Sequence, residues 1–371
     1  MGRMAADDTT APRPPVRVAY TIEQCWHSSP GGTAVAALRI ARELEQRPAD
    51  VELRLVAGRH PKLPAPEYRP IAPVAMVPLS GAALYETWLR LNWPKVESVT
   101  GEIDVAHATG LVPAATAAPL VVTVHDLAFV HDPTQFTRQG VRTMRRSVEV
   151  IARRADRVLC SSLATMRDCV AAGLDPDRLR HVPLGVDVVD VDDATVERVR
   201  RKFLLPDEFV LFVGTLEPRK NLRRLVDAVR CDDVTLPLVV AGAEGWGELG
   251  LDGADDVTFL GFVPDDDLAA LYAAATVFAY PSEREGFGLP VAEAMAQGTA
   301  VVTSTGTSTE EVAGGAAVLV DPFDVASIAR GIVEGIERRD ELAAAGRRRA
   351  AELDWASAAE RTLAVYRELV P

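Results

Sequence analysis

The sequence predicts an α/β protein made of two doubly wound parallel-sheet domains that face a central cleft. Three observations predict it. Short continuous apolar runs recur along the chain, most of them separated by helical patterns, as expected for strands buried on both faces. The scheme occurs twice, interrupted at VPLGVDVVDVDDAT (182–195), where apolar periodicity gives way to Pro, Gly and a run of Asp. The 371 residues are enough for two cores of ordinary size. The expected boundaries are a disordered tail over 1–15, a first Rossmann-like domain over 16–188, a second over 189–355, and a closing helix over 356–371.

In the first half, VRVAY (16–20) is the opening strand, followed by a Gly-Gly loop and the helical pattern TAVAALRIARELEQR. VELRLVAG (51–58) is the next strand, and a Pro-rich stretch up to about Pro78 reads as irregular. DVAHA (104–108), PLVVTVHD (119–126), DRVLCSS (156–162) and RLRHVPLG (178–185) continue the series. The second half offers EFVLFVG (208–214), LPLVVAGA (236–243), DVTFLGF (256–262), TVFAYPS (276–282), TAVVTST (299–305) and GAAVLVDP (315–322). Such sheets bind ligands at the carboxyl ends of their strands, so the cleft between them is the natural site.

Composition excludes several classes. The apolar runs are about half the length needed to cross a bilayer. MGRMAADDTTAPRPP has no apolar h-region and reads as a tail, not a signal peptide. Cys25, Cys160, Cys169 and Cys231 lack C-x-x-C spacing, so reduced thiols, no metal site and a cytoplasmic location are expected. The net charge of −13 argues against nucleic acid as a partner. It is unevenly spread, with 22 Lys+Arg against 21 Asp+Glu over 1–190 and 18 against 32 beyond.

Two stretches of the second half carry candidate chemistry. In FVGTLEPRKNLRRLVDAV a strand ends at Gly214, Asn221 is placed to N-cap a helix, and Arg219 and Lys220 stand just before it. Cations there oppose the helix dipole, and an anionic ligand such as a diphosphate reverses that sign. The competing reading is a solvated basic turn. In EREGFGLPVAEA (283–294), Pro290 suits the start of a helix, and Gly286 and Gly288 allow close backbone approach to a ligand. Glu285 projects from the loop and Glu293 from the first helical turn. Carboxylates beside a phosphate repel it, so they are aimed at hydroxyl donors such as a sugar or ribose diol. The plainer alternative is an acidic turn complementing the dipole. Glu283 reads as a solvated charge.

GTLEPRKN together with FLGFVPDDDLAALYAAATVFAYPSEREGFGLPVAEAMAQGTAVVTST resembles the retaining glycosyltransferases of family 4, which have the GT-B fold. The resemblance spans nearly the whole chain. It implies that Glu285 contacts the donor sugar's hydroxyls, that Glu293 holds the nucleotide ribose, and that Arg219 and Lys220 bind the diphosphate. Many members have Arg directly after the strand-ending Gly, where this chain has Thr215, and Arg219 is expected to substitute. The donor set it implies is Gly31, Gly32, Gly214, Arg219, Lys220, Val263, Glu285, Gly286, Phe287, Gly288, Leu289 and Glu293. His125, at the end of PLVVTVHD, is expected to face the donor sugar as a catalytic residue with Glu285, Arg219 and Lys220. Trp26, His27 and Asp126 are acceptor-side candidates in the first domain. WASAAERTLAVYRELV resembles the family's closing helix, which packs back on the first domain.

The implied reaction is transfer of a sugar from a nucleotide-diphosphate sugar, with GDP-mannose favoured, to a glycan, lipid-linked or small-molecule acceptor. Configuration is retained by front-face attack, the departing diphosphate accepting the acceptor's proton. No cofactor or metal is expected. The run Asp265–Asp267 is read as a helix cap and not as a metal-binding Asp-x-Asp. Arg138, Arg142, Arg145, Arg146, Arg153, Arg154 and Arg157 form a basic helical stretch, read either as a solvated face or as a peripheral contact with an anionic membrane surface. The rival activities are a GT-B-fold sugar-nucleotide epimerase or hydrolase, and a non-catalytic sugar-nucleotide binder.

Overall fold

The computed structural model describes residues 14–27, 30–243, 245 and 255–370. The expected tail over 1–15 lies outside them except for its last two residues. Among the described residues thirteen strands form two sheets. The first contains β1 (Val16–Thr21), β2 (Val51–Gly58), β3 (Val74–Val77), β4 (Val105–Ala108), β5 (Leu120–Val124), β6 (Arg157–Cys160) and β7 (Leu179–His181). The second contains β8 (Val210–Val213), β9 (Leu238–Ala241), β10 (Thr258–Gly261), β11 (Val277–Tyr280), β12 (Ala300–Ser304) and β13 (Val318–Val320). Their orders are β3-β2-β1-β4-β5-β6-β7 and β10-β9-β8-β11-β12-β13, and every pairing is parallel.

Both sheets therefore reverse direction at equivalent places, between β1 and β4 and between β8 and β11. A reversal of strand order leaves a crevice beyond the carboxyl ends of the strands, where ligands of such folds sit. The strands flanking the second reversal, β8 and β11, are buried throughout, as is β4 at the first. That burial is why they read as uninterrupted apolar runs. β10 is an edge strand with Phe259 and Gly261 exposed, and its ladder to β9 shifts register between these two residues.

β3 corrects the sequence reading, which left its residues in an irregular Pro-rich stretch. VAMV is only four residues long and three of them are half-buried, so it is an edge strand that offers little apolar signal. The basic stretch is also corrected. The helix ends at Arg154, and Arg157 instead lies on β6, where it pairs with Glu368 at 2.7 Å.

The chain passes from one sheet to the other along residues 182–192. Val186 N–H donates to the carbonyl of Leu353 (2.9 Å), so the outgoing and returning segments run side by side. Gly185 is required there, because a Cβ would lie 2.3 Å from the backbone nitrogen of Trp355. The last helix, Trp355–Leu369, packs against the first helix, Gly31–Glu45. Tyr366 Oη hydrogen-bonds with Nδ1 of His107 on β4 (2.7 Å), and Glu368 meets Arg180 at 2.7 Å.

Candidate active site

A cavity of about 930 Å³ lies between the two sheets, lined by loops that leave the carboxyl ends of β1, β5, β8 and β11. All the residues expected at the donor, acceptor and catalytic positions line it: Trp26, His27, Gly31, Gly32, His125, Asp126, Gly214, Arg219, Lys220, Val263, Glu285, Gly286, Phe287, Gly288, Leu289 and Glu293. The two topological reversals place most of them there, since all but Val263, which follows β10, come after a strand beside a reversal or one place removed from it.

After β8, Pro218–Lys220 makes one tight turn and Asn221 takes a left-handed conformation (φ 63°) before the helix Leu222–Val229. The expectation that Asn221 caps this helix with its side chain is not met. Its amide instead donates to the carbonyls of Pro281 (2.9 Å) and Pro322 (2.6 Å), tying the β8 exit to the β11 and β13 exits. The turn brings Lys220 back beneath the strand it follows, and a Cβ on Gly214 would lie 2.7 Å from Lys220 Nζ. Gly214 is thus the space into which the ammonium folds. Nζ also sits 5.9 Å from the centre of the Tyr280 ring.

Arg219 is held between two carboxylates. Its Nε donates to Glu217 (2.8 Å), while Nη1 contacts Glu285 (2.9 Å) and the carbonyl of Arg284 (3.0 Å). Glu285 also accepts from Tyr280 Oη (2.7 Å) and Ser282 Oγ (3.2 Å). Burial alone pushes the Glu285 carboxyl up, but Arg219 and Lys220 outweigh it and hold it below its usual range. Burial pulls the Lys220 ammonium down, and although Glu285 opposes this its net shift is downward. Glu217 is pushed up by burial, only partly offset by Arg219 and Lys220.

The helix Leu289–Ala296 starts after Gly288 (φ 108°), whose missing side chain leaves room for Thr309 Cγ2. Pro290 is its second residue, not its first, so Glu293 is its fifth, one residue further in than expected. Glu293 accepts from Tyr272 Oη (2.9 Å), and burial pushes its carboxyl up. Glu283 is not a solvated charge. It pairs with Arg224 at 2.6 Å, and Arg224 also donates to Asn221 Oδ1.

The first domain meets this loop directly. A Cβ on Gly286 would lie 2.2 Å from the carbonyl oxygen of His125, so only glycine permits the approach. Thr165 Oγ1 is 2.9 Å from the His125 carbonyl and 3.3 Å from the Gly286 carbonyl, bridging the two domains. The His125 ring contacts the Thr109 carbonyl through Nε2 (3.2 Å), and burial lowers its basicity, so it is neutral at pH 7. Asp126 accepts from Ala128 N–H (3.0 Å) and shapes its own turn. Opposite, Gly31 opens the helix with φ 57°, and a Cβ on Gly32 would press within 3.2 Å of Leu289 Cδ1.

The acidic run at the next helix is corrected in detail. Pro264 holds the N-cap position, and Asp265–Asp267 lie inside the first turn with no side-chain cap bond. Asp267 is bound by Arg198 (2.7 Å) and Lys202 (2.5 Å), and Asp265 faces the cavity.

Several site residues escaped the sequence reading. Glu217 stood inside the GTLEPRKN stretch and carried a signal, a carboxylate two residues before an expected phosphate-binding Arg. Tyr272 and Tyr280 look like ordinary core aromatics, and only the fold shows that their hydroxyls reach the two glutamates. Nothing marked Thr165, which lies far away in sequence.

Residues 30–190 match the model of glycosyltransferase family 4, and residues 195–352 that of the glycosyl transferases group 1. O-antigen chain mannosyltransferase B of Escherichia coli is 33% identical, over 67% of this chain and 70% of that protein. D-inositol 3-phosphate glycosyltransferase of Acidothermus cellulolyticus is 30% identical, over 99% of this chain and 93% of that one. The crystal structure of Anabaena HepE in complex with UDP and glucose superposes with a TM-score of 0.73 at 19% identity, covering 95% of this chain and 100% of that one. The architecture is GT-B. The chain belongs to the glycosyltransferases of family 4 and is a hexosyltransferase.

Proposed function

We propose that this enzyme transfers a hexose, with mannose favoured, from a nucleotide-diphosphate sugar to an acceptor hydroxyl with retention of configuration. Lys220 carries this reading. It is 8% exposed, and among the described residues its ammonium makes no hydrogen bond. Glu285, Glu217 and Glu293 offset its burial only in part, and the side chain lines the cavity, where a ligand can supply the anion. The diphosphate of a donor answers that need, with Arg219 beside it and Glu285 and Glu293 receiving hydroxyls of sugar and ribose.

The acceptor oxygen attacks C1 from the side of the leaving group, the C1–O bond to diphosphate breaks, and the acceptor proton passes to the departing phosphate oxygen. Leaving-group charge is met by Lys220 and Arg219, and no metal or cofactor is required. The mannosyltransferase relative supports mannose as the sugar, and GDP is the nucleotide we propose with it. The acceptor is a glycan, free or lipid-linked, and the enzyme works in the cytoplasm. The helix Arg138–Arg154, with exposed Arg138, Arg142, Arg145 and Arg153, fits peripheral contact with an anionic membrane surface. Among the described residues no helix is long and apolar enough to cross a membrane.

Thermal-shift screening against UDP-, GDP- and dTDP-sugars tests the donor, followed by NMR of the anomeric proton of the product. The expected result is a selective shift with a GDP-sugar, turnover that survives EDTA, and a retained anomer. Inversion, or product formation at full rate without any acceptor, points to a different activity, the latter to an epimerase or hydrolase.

A further inference from the structure

The first-domain wall of the cavity is organised by a residue the reaction has not used. Glu23, in the loop after β1, is 3% exposed. One oxygen accepts from Gly58 N–H at the end of β2 (2.6 Å). The other accepts from Gly81 N–H, where the helix Gly81–Leu91 begins (2.8 Å), and meets His60 Nε2 (3.0 Å). One carboxylate thus fastens two segments, the exit of β2 and the start of the helix at Gly81, to its own loop. His60 in turn lies flat on Trp26, with ring centres 4.9 Å apart and planes 9° from parallel. Trp26 Nε1 is held by the Lys62 carbonyl (2.9 Å). Both rings line the cavity, so the chain supports a fixed aromatic platform there.

The charges around that platform restrict what it takes. Among the described residues lining the whole cavity, three are Lys or Arg and six are Asp or Glu. On the first-domain side the single cation is Lys62, exposed on its loop, against Glu67 and Asp126, while Asp265 faces them from the second domain. Arg219 and Lys220 are committed to the donor. A phosphate- or carboxylate-bearing acceptor would meet net repulsion, whereas the apolar C–H face of an uncharged sugar ring packs on an aromatic plane without any cation.

We infer that the acceptor is an uncharged saccharide terminus seated on the Trp26–His60 platform, with Glu23 as the positioning residue that fixes it. This rests on the glycosyl-transfer reading above. The test pairs the donor giving the largest thermal shift with an array of neutral saccharides and of phosphate- or carboxylate-bearing acceptors, among them inositol 3-phosphate. Transfer is expected to neutral sugars. With the best of them, Trp26→Ala and Glu23→Ala raise acceptor KM about tenfold or more while donor KM stays within about twofold, a split that general loss of structure does not produce. Should Glu23→Ala fail to fold by circular dichroism, Trp26→Ala and His60→Ala carry the same measurement. Preference for charged acceptors overturns the inference. So does donor hydrolysis with no neutral sugar accepted, or acceptor KM unchanged in the variants that fold. Failure of every donor to bind or turn over overturns the glycosyl-transfer reading itself.

Discussion

A lysine side chain buried this far ordinarily keeps its ammonium against a carboxylate or several carbonyls, because a charge in an apolar surrounding without hydrogen bonds is costly. Lys220 has the electrostatic company of Glu285, Glu217 and Glu293 but no hydrogen bond among the described residues, and its net shift is downward because burial leads. Removing it should therefore separate activity from stability. Lys220→Ala is expected to lower kcat/KM for the donor by about 10²- to 10³-fold, the range for losing one preorganised electrostatic group, while the melting temperature holds or rises. Steady-state kinetics and differential scanning fluorimetry on one preparation check this; a parallel loss of both would mark Lys220 as structural. Glu217 makes the converse case. It and Glu285 offset the charges of Arg219 and Lys220, so these four groups together present a diphosphate with no net positive charge. Glu217→Gln keeps an oxygen for Arg219 Nε and removes one negative charge. The product nucleoside diphosphate should then bind more tightly, by roughly three- to tenfold at pH 8, read as a fall in its inhibition constant.

Elements meet across the cleft through backbone as much as through side chains. The helix Leu163–Ala171 of the first domain has its N-terminal N–H groups capped from the second domain. Glu311 accepts from Leu163 (2.7 Å) and Ala164 (2.8 Å). A carboxylate there satisfies free donors and complements the helix dipole. Glu311→Ala is expected to cost about 1 kcal/mol in urea unfolding, with Glu311→Gln recovering part of it. Gly286→Ala is a sharper test of the same contact, since a Cβ must displace the His125 carbonyl. It should widen the cleft and depress kcat by at least about tenfold with little change in far-UV circular dichroism. These junctions also explain what the sequence could and could not show. Twelve of the thirteen strands were legible as apolar runs, because burial on both faces writes itself into residue type. Gly286, Gly288, Glu285 and Glu293 stood out in EREGFGLPVAEA because such a pattern has few purely structural uses, whereas Glu283 was misread because its partner Arg224 lies 59 positions away. Contacts such as Glu311 to Leu163 or Thr165 to Gly286 were not, because they join a polar side chain to a backbone group over 100 positions away, and each end alone looks like an ordinary cap or hydroxyl.

At the scale of the whole molecule the last helix ties the chain's end to its beginning. Its buried face includes Trp355, Leu363 and Tyr366, and Tyr366 reaches His107 in the middle of the first sheet. His107 is enclosed by Tyr366 Oη at Nδ1 and Thr123 Oγ1 at Nε2 (2.8 Å), with the Tyr20 ring edge-on at 5.1 Å between centres. Burial pushes its pKa down to about 3, so the folded protein keeps it neutral. Its ordinary value is 6.5, hence between pH 6.5 and 3 the unfolded chain binds a proton there that the folded chain does not. Stability must then rise with pH across that window and fall on acidification, by about 1.4 kcal/mol per unit at most, or roughly 2 kcal/mol between pH 6.5 and 5. His125, lowered by burial as well, adds to the same slope. His107→Gln cannot take up the proton yet still offers a hydrogen-bonding group to Tyr366 or Thr123. It should be less stable than the parent at pH 7.5, and its loss of stability on going to pH 5 should be smaller. Urea unfolding across the pH series measures both. If the variant and the parent ran parallel from pH 7.5 to 5, the acid sensitivity would lie elsewhere than in the contact that fastens the last helix to the first sheet.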